Sequence, residues 1–169
     1  MAQPAAPGRD NNIDPHLPEK AMLKAFLDWY RDTVIRKVSG LSKEEASRQL
    51  VSTPTNLLGI VKHLAYVERG WFQRGMMGRD LPIPWTEEDP DADMRIGSDE
   101  TVEGIIGFYR DAIAESNQVI DALSLDAVSR NRRDPMTLRW VMMHMLEETA
   151  RHAGHCDILR EQTDGLVGE

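Results

Sequence analysis

Glu148 and His152 stand four residues apart in the stretch MTLRWVMMHMLEETARHAGHCDILRE, residues 136–161. On an α-helix each residue turns the chain by about 100°, so this spacing puts both side chains on one face. There they can reach a common metal ion. His144 and His155 extend the same stripe in steps of four and three. Leu138, Val141, Met145, Thr149, Cys156 and Leu159 lie on or beside it, which directs the stripe towards a core. Burying a carboxylate without a positive partner costs several kcal/mol, and a cation would supply that partner.

A metal site inside a helix bundle draws its ligands from more than one helix. His16 belongs to a polar lead-in, which leaves His63 in NLLGIVKHLAYVERGWFQRG, on one stripe with Ile60, Val67 and Trp71. His63, Glu148 and His152 then form a set of two imidazoles and one carboxylate. Three protein donors leave a coordination position for water or substrate, the pattern of a catalytic rather than a structural site. Plainer readings compete. An inward histidine is more often a hydrogen-bonded core residue, and a Glu–His pair at this spacing is common on helix surfaces. Spacing also leaves the ligand choice open, because His144 with Glu148, or His152 with His155, fits nearly as well. His144 and His152 lie two turns apart, ~12 Å along the axis, too far to share one ion.

An open metal site acidifies whatever fills the vacant position. A coordinated thiol is deprotonated, which gives S-transfer; a coordinated water falls to a pKa near 7, which gives hydrolysis. Nitrogen and oxygen donors suit zinc first, with nickel, manganese or iron also accepted. Cys156, one turn beyond His152, reads as a small core residue rather than a nucleophile. Trp71 and Trp140 read as packing. Trp85, in an acidic connection, is the tryptophan expected to face a substrate. Within that connection TEEDPDAD, residues 86–93, has the composition of a calcium loop but not its ligand spacing, and is expected to be a solvated loop.

The elements that must position these residues are helices. From Pro18 to about Val38, Leu23, Phe26, Leu27, Tyr30 and Val34 recur at threes and fours, an amphipathic pattern that Gly40 ends. Ser42 with Glu45 makes a capping box for a short helix to about Leu50. A second long helix begins near Thr53, with Pro54 in its first turn, and runs to roughly Gly75. Ser98 or Asp99 caps a third, with Val102, Ile105, Ile106, Tyr109, Ile113 and Ile120 inward. Thr137 caps the last, which closes near Gly165. Between the second and third lies MGRDLPIPWTEEDPDADMRIG, too long for a hairpin and too polar for a strand; such segments are functional or cross a bundle end to end. The sequence therefore predicts an all-α four-helix bundle with a long crossover connection between helices two and three. Residues 1–17 are expected to be a loose leader and 18–169 a single domain.

With 169 residues, 41% hydrophobic and 28% charged, the chain suits one globular core. No apolar run approaches the ~20 residues of a membrane span, and the N-terminus lacks a secretory pattern. One cysteine excludes an internal disulfide and fits a reducing cytoplasm. A formal net charge of −8, with basic residues scattered and RNRR (130–133) too short to count, argues against nucleic acid and anionic membranes. Small molecules or other proteins are the expected partners.

The pairing of LLGIVKHLAYVERGWF with HMLEETARHAGHCDILREQTDG resembles the DinB-like superfamily, particularly its actinobacterial mini-circle branch, over nearly the whole chain after residue 18. That superfamily is a four-helix bundle in which a helix-two histidine and an H-x-x-x-H pair on the last helix bind a divalent metal. This sequence has Glu148 where the first histidine of the pair usually stands. The same replacement occurs in the mycothiol-dependent maleylpyruvate isomerases, whose zinc is held by two histidines and a glutamate. The resemblance thus implies His63, Glu148 and His152 as metal ligands, acting catalytically through the metal, with His144 and His155 as supporting residues. The isomerase carries an additional C-terminal domain not found in this sequence, so the broader class is implied: a metal-dependent transferase joining a low-molecular-weight thiol such as mycothiol to a small electrophile. A metallohydrolase or a metal-binding stress-response bundle is the alternative. Homodimerisation through the last helix is likewise a family expectation.

Overall fold

The computed structural model describes residues 12–131 and 134–167. Four long helices carry the chain: α1 (Glu19–Val38), α3 (Leu57–Glu68), α4 (Val102–Ala122) and α5 (Leu138–Asp164), with a one-turn α2 (Lys43–Ala46) between the first two. Among the described residues the extended structure is confined to a single antiparallel bridge between Val128 and Thr137. The expected all-α bundle is what the chain forms. Among the described residues no helix is long and apolar enough to cross a membrane.

Local chemistry sets the boundaries. Ser42 and Glu45 complete the capping box expected for α2. Thr137 accepts the Trp140 amide at the start of α5, and Gly165, at φ 79°, closes it in the left-handed conformation. Two starts differ from expectation. Asn56, not Thr53, begins α3, because its side chain accepts the Gly59 amide. Thr101, rather than Ser98 or Asp99, caps α4 by accepting from Gly104. Beyond Glu68 the helix continues as a π-helical segment, Arg69–Met76, whose wider turn the sequence pattern did not announce.

Ion pairs reveal how the helices run. Arg139 meets Glu19 at 2.7 Å while Lys37 meets Asp157 at 2.6 Å, so α1 and α5 are parallel. Lys62 meets Glu100 and Arg79 meets Glu115, so α3 and α4 are parallel too. His63 lies against His152 and Trp71 against His144 and Trp140, which makes α3 antiparallel to α5. Two parallel helices consecutive in a bundle need a connection that returns along its length, and residues 77–101 are that crossover. Inside, Arg31 of α1 forms a two-pronged bond with the fully buried Glu68, 2.7 Å on each prong. Glu68 is the last residue of α3, so the bond lies where that helix gives way to the π-helical segment.

The crossover docks on α3 at a defined place. A Cβ on Gly59 would sit 2.5 Å from the Met94 carbonyl oxygen, so only glycine admits the loop backbone this close. The Asn56 amide donates to Met94 O at 3.2 Å, and Lys62 Nζ to Arg95 O at 2.9 Å. Between these anchors a short 3-10 turn, Ala92–Met94, points Asp93 inward.

Candidate metal centre

Helices α3 and α5 bring three donor atoms to one place. His63 Nε2 lies 3.4 Å from Glu148 Oε1, and His152 Nε2 lies 3.2 Å from the same oxygen. Among the described residues these three side chains can offer one ion a ligand atom each, all within 4.8 Å of one another. Their side chains are 21%, 14% and 11% exposed, so the cluster sits at the edge of the core, reachable from solvent. The other Glu148 oxygen, Oε2, accepts from Arg151 at 3.2 Å. That leaves Oε1 facing the two rings.

His63 has a second partner that fixes its chemistry. Its Nδ1 lies 2.7 Å from Oδ2 of Asp93, a residue 2% exposed. An ionised carboxylate only accepts hydrogen bonds, so Nδ1 carries the proton. In a neutral ring Nε2 is then a bare lone pair aimed at another acceptor, Glu148 Oε1. Two acceptors facing each other demand a positive charge between them, either a proton on His63 or a cation. Burial by itself would lower the His63 pKa, but the bonds to Asp93 and Glu148 outweigh it and raise it to about 9. The His152 and His63 bonds, in that order, hold Glu148 far below the usual carboxylate range. The donor set therefore fits a divalent cation: one anionic oxygen, one imidazole locked in the ligating tautomer, and a second imidazole one turn away. His152 Nδ1 is buried and has no hydrogen-bond partner among the described residues.

The remaining sequence candidates separate. His144 does not join the cluster: its ring stacks on Trp140 at 5.2 Å and meets Trp71 edge-on at 4.5 Å. His155 is exposed rather than inward and packs edge-on against His152 at 5.4 Å; burial first, then the charges of His152 and Arg151, lower its pKa. Trp85 rests edge-on against Tyr66, with ring centres 6.3 Å apart. Cys156 is fully buried, and that burial pushes its thiol well above the ordinary range. The TEEDPDAD segment is not wholly solvated, because its last residue is the buried Asp93. Sequence reasoning missed it; the available signal was that a ligating histidine needs a carboxylate or carbonyl behind it. Residues 1–11 of the leader, and 132–133 of RNRR, lie outside the described residues.

A family model described as mycothiol-S-transferase matches residues 22–165. No curated protein matches the chain. Among solved structures, the crystal structure of a conserved protein of locus from Enterococcus faecalis superposes with a TM-score of 0.65. It is 13% identical, with 88% of this chain and 99% of that one covered. At that identity it shows the shared fold alone.

Proposed function

The chain belongs to the mycothiol-S-transferase family, and from that premise we propose that it moves the sulfur of mycothiol, or a similar small thiol, onto an electrophilic carbon. His63, Glu148 and His152 hold the divalent cation, zinc in the first instance. The observation that supports this reading is the convergence of one ligand atom each from His63, Glu148 and His152 within 4.8 Å of one another, with His63 Nδ1 bonded from behind to the buried Asp93. When bound, the cation supplies Lewis acidity that keeps a coordinated thiol deprotonated.

The protein's own residues do the rest. Asp93 holds the proton on His63 Nδ1 and keeps Nε2 free to ligate. Glu148 contributes the negative charge that balances the cation, and Arg151 holds its second oxygen out of the way. Cys156 is sealed in the core with its thiol protonated, so the attacking sulfur must come from a separate small molecule. In the transfer that sulfur forms a C–S bond, the leaving group departs with the carbon's bonding pair, and the thiol proton passes to solvent. On the same reading residues 18–169 act as one domain.

The test incubates zinc-loaded protein with monochlorobimane and, separately, mycothiol, bacillithiol or glutathione. Thiol addition should outpace both free zinc and the His63→Ala variant. Equal rates with intact and metal-free protein for all three thiols would overturn the transferase reading. Amide and ester hydrolysis would then be assayed for the metallohydrolase alternative.

A further inference from the structure

One turn beyond His152 on α5, a cleft of about 420 Å³ opens between that helix and the connection leading into α3. This is within the range of sites for small organic ligands. Val51, Ser52, Thr53 and Thr55 form one wall; His155, Ile158 and Leu159 form the other. Both walls continue directly into the elements that carry the donor set. His155 touches His152 ring to ring, and Thr55 adjoins Asn56, the cap of the helix bearing His63.

The character of the lining is unusual for this surface. In a chain that is 28% charged, no carboxylate, ammonium or guanidinium among the described residues lines the cleft. Val51 and Ile158 are 41% and 57% exposed, apolar side chains left open to solvent on the two walls of the cleft. The Thr53 and Thr55 hydroxyls bond to each other at 2.9 Å, which takes up one of their two donors. A second cleft, between α3 and α4, is by contrast lined by Arg69, Asp99 and Glu100.

We propose that the cleft between residues 51–55 and the His155–Leu159 turn binds the second substrate, an uncharged apolar electrophile, and that Ile158 sets this preference. The inference rests on the transferase reading above. A sugar-like thiol carries more hydroxyls than Ser52, Thr53, Thr55 and His155 can pair, and would leave the rest against Val51, Ile158 and Leu159, which costs affinity. An uncharged aryl or alkyl carbon buries its surface there instead and keeps its reactive end within a turn of the donor set. In the step itself the thiol sulfur displaces chloride from the bound chloroarene, chloride leaves with the bonding pair, and the proton goes to solvent.

Because Ile158 is exposed, charged residues at this position can be made without opening the core. The experiment compares an uncharged chlorodinitrobenzene with its anionic analogue, a chlorodinitrobenzoate, using zinc-loaded protein and mycothiol. Ile158→Asp should raise the KM for the uncharged electrophile about tenfold, the scale of a lost apolar contact, while mycothiol KM and zinc content stay unchanged. Ile158→Lys should shift preference towards the benzoate. Met143→Asp, at an exposed apolar position elsewhere on α5, should change neither KM. A change in mycothiol KM in place of the electrophile's would assign the cleft to the thiol and overturn the proposal, as would unchanged KM values in both Ile158 variants. Binding of unreactive dinitrobenzene, followed by the His155 imidazole NMR signal, separates the two layers. If that binding is present in the parent and lost in Ile158→Asp, the cleft stands even should transfer itself fail. No binding in the parent overturns it.

Discussion

His63 Nδ1 lies 2.7 Å from Asp93 Oδ2, and this contact joins the crossover to the helix whose opposite ring nitrogen faces Glu148. The two residues are thirty apart in sequence and meet because Gly59, one turn before His63, lets the Met94 carbonyl come against α3. The tautomer of the His63 ring thus depends on how a long loop is seated.

Replacing Asp93 tests that dependence. Asp93→Ala removes the acceptor behind His63 and should weaken zinc binding by roughly 10- to 100-fold, the usual cost of losing such a partner. Asp93→Asn keeps an acceptor oxygen and should lose less. Chelator competition measures both, with far-ultraviolet circular dichroism confirming that the bundle persists. Unchanged affinity in Asp93→Ala would remove Asp93 from the site.

Gly59→Ala and Gly107→Ala should behave in opposite ways. Both sit in helices, where alanine is favoured over glycine by about 0.5–1 kcal/mol. At Gly107 a Cβ meets nothing within 4 Å, so thermal stability should rise by about that amount. At Gly59 the new Cβ would strike backbone, the Met94 oxygen at 2.5 Å. The loop must back away, taking Asp93 with it, and zinc affinity should fall as in Asp93→Asn. A Gly59→Ala protein with full zinc affinity would show that the loop's seating is immaterial.

The pH dependence of metal-free protein follows from two opposed shifts. Burial lowers the His63 pKa, but the bonds to Asp93 and Glu148 more than reverse this, raising it from 6.5 to about 9. Its contribution to stability is therefore fully present below pH 6.5 and is lost as pH rises through about 9. Glu148 is depressed from 4.5, so its contribution is present above pH 4.5 and is lost as the pH falls through the lowered value. Chelator-treated protein should lose melting temperature between pH 6.5 and 9, and His63→Gln should flatten that loss. Zinc competes for the same Nε2, so its affinity should climb over the same window. A slope between pH 6.5 and 9 that survives in His63→Gln would place its origin elsewhere.

Much of this was legible before the structure. The helices announce themselves because apolar residues repeat at threes and fours over many turns, and Ser42–Glu45, Thr137 and Gly165 cap where their side chains or backbone require. The starts of α3 and α4 slipped because several cap-competent residues stand together. Thr53, Thr55 and Asn56 compete at one, and Ser98, Asp99 and Thr101 at the other; only the geometry of the following amides decides. The π-helical turn of residues 69–76 escaped because apolar spacing over two turns does not separate its period from that of an α-helix. Asp93 escaped for a different reason. It is one acid among many in an acidic segment, and what buries it is a long-range contact between Gly59 and Met94 that no local pattern encodes.

Glu148 is where this chain's sequence departs from the H-x-x-x-H pattern it resembles, and substitutions there should separate charge from shape. Glu148→Gln keeps an oxygen near His63 and His152 but removes the negative charge. Bonds to a charged partner contribute about 1.5–3 kcal/mol, so zinc affinity should fall roughly ten- to a hundredfold, each 1.4 kcal/mol being a factor of ten. The metal-free protein reports the same loss independently, because the Glu148 share of the raised His63 pKa disappears and its imidazole NMR titration should move down from about 9. Glu148→His offers a third imidazole and should bind zinc again, while Arg151 loses its partner on Oε2. His152→Ala and His63→Ala should each abolish stoichiometric zinc, whereas His155→Ala, whose ring is exposed and lies beyond the donor cluster, should only weaken it. Zinc retained in full by Glu148→Gln would mean that the carboxylate is not a ligand. Zinc lost in His155→Ala and kept in His152→Ala would mean that the ligands lie one turn further along α5.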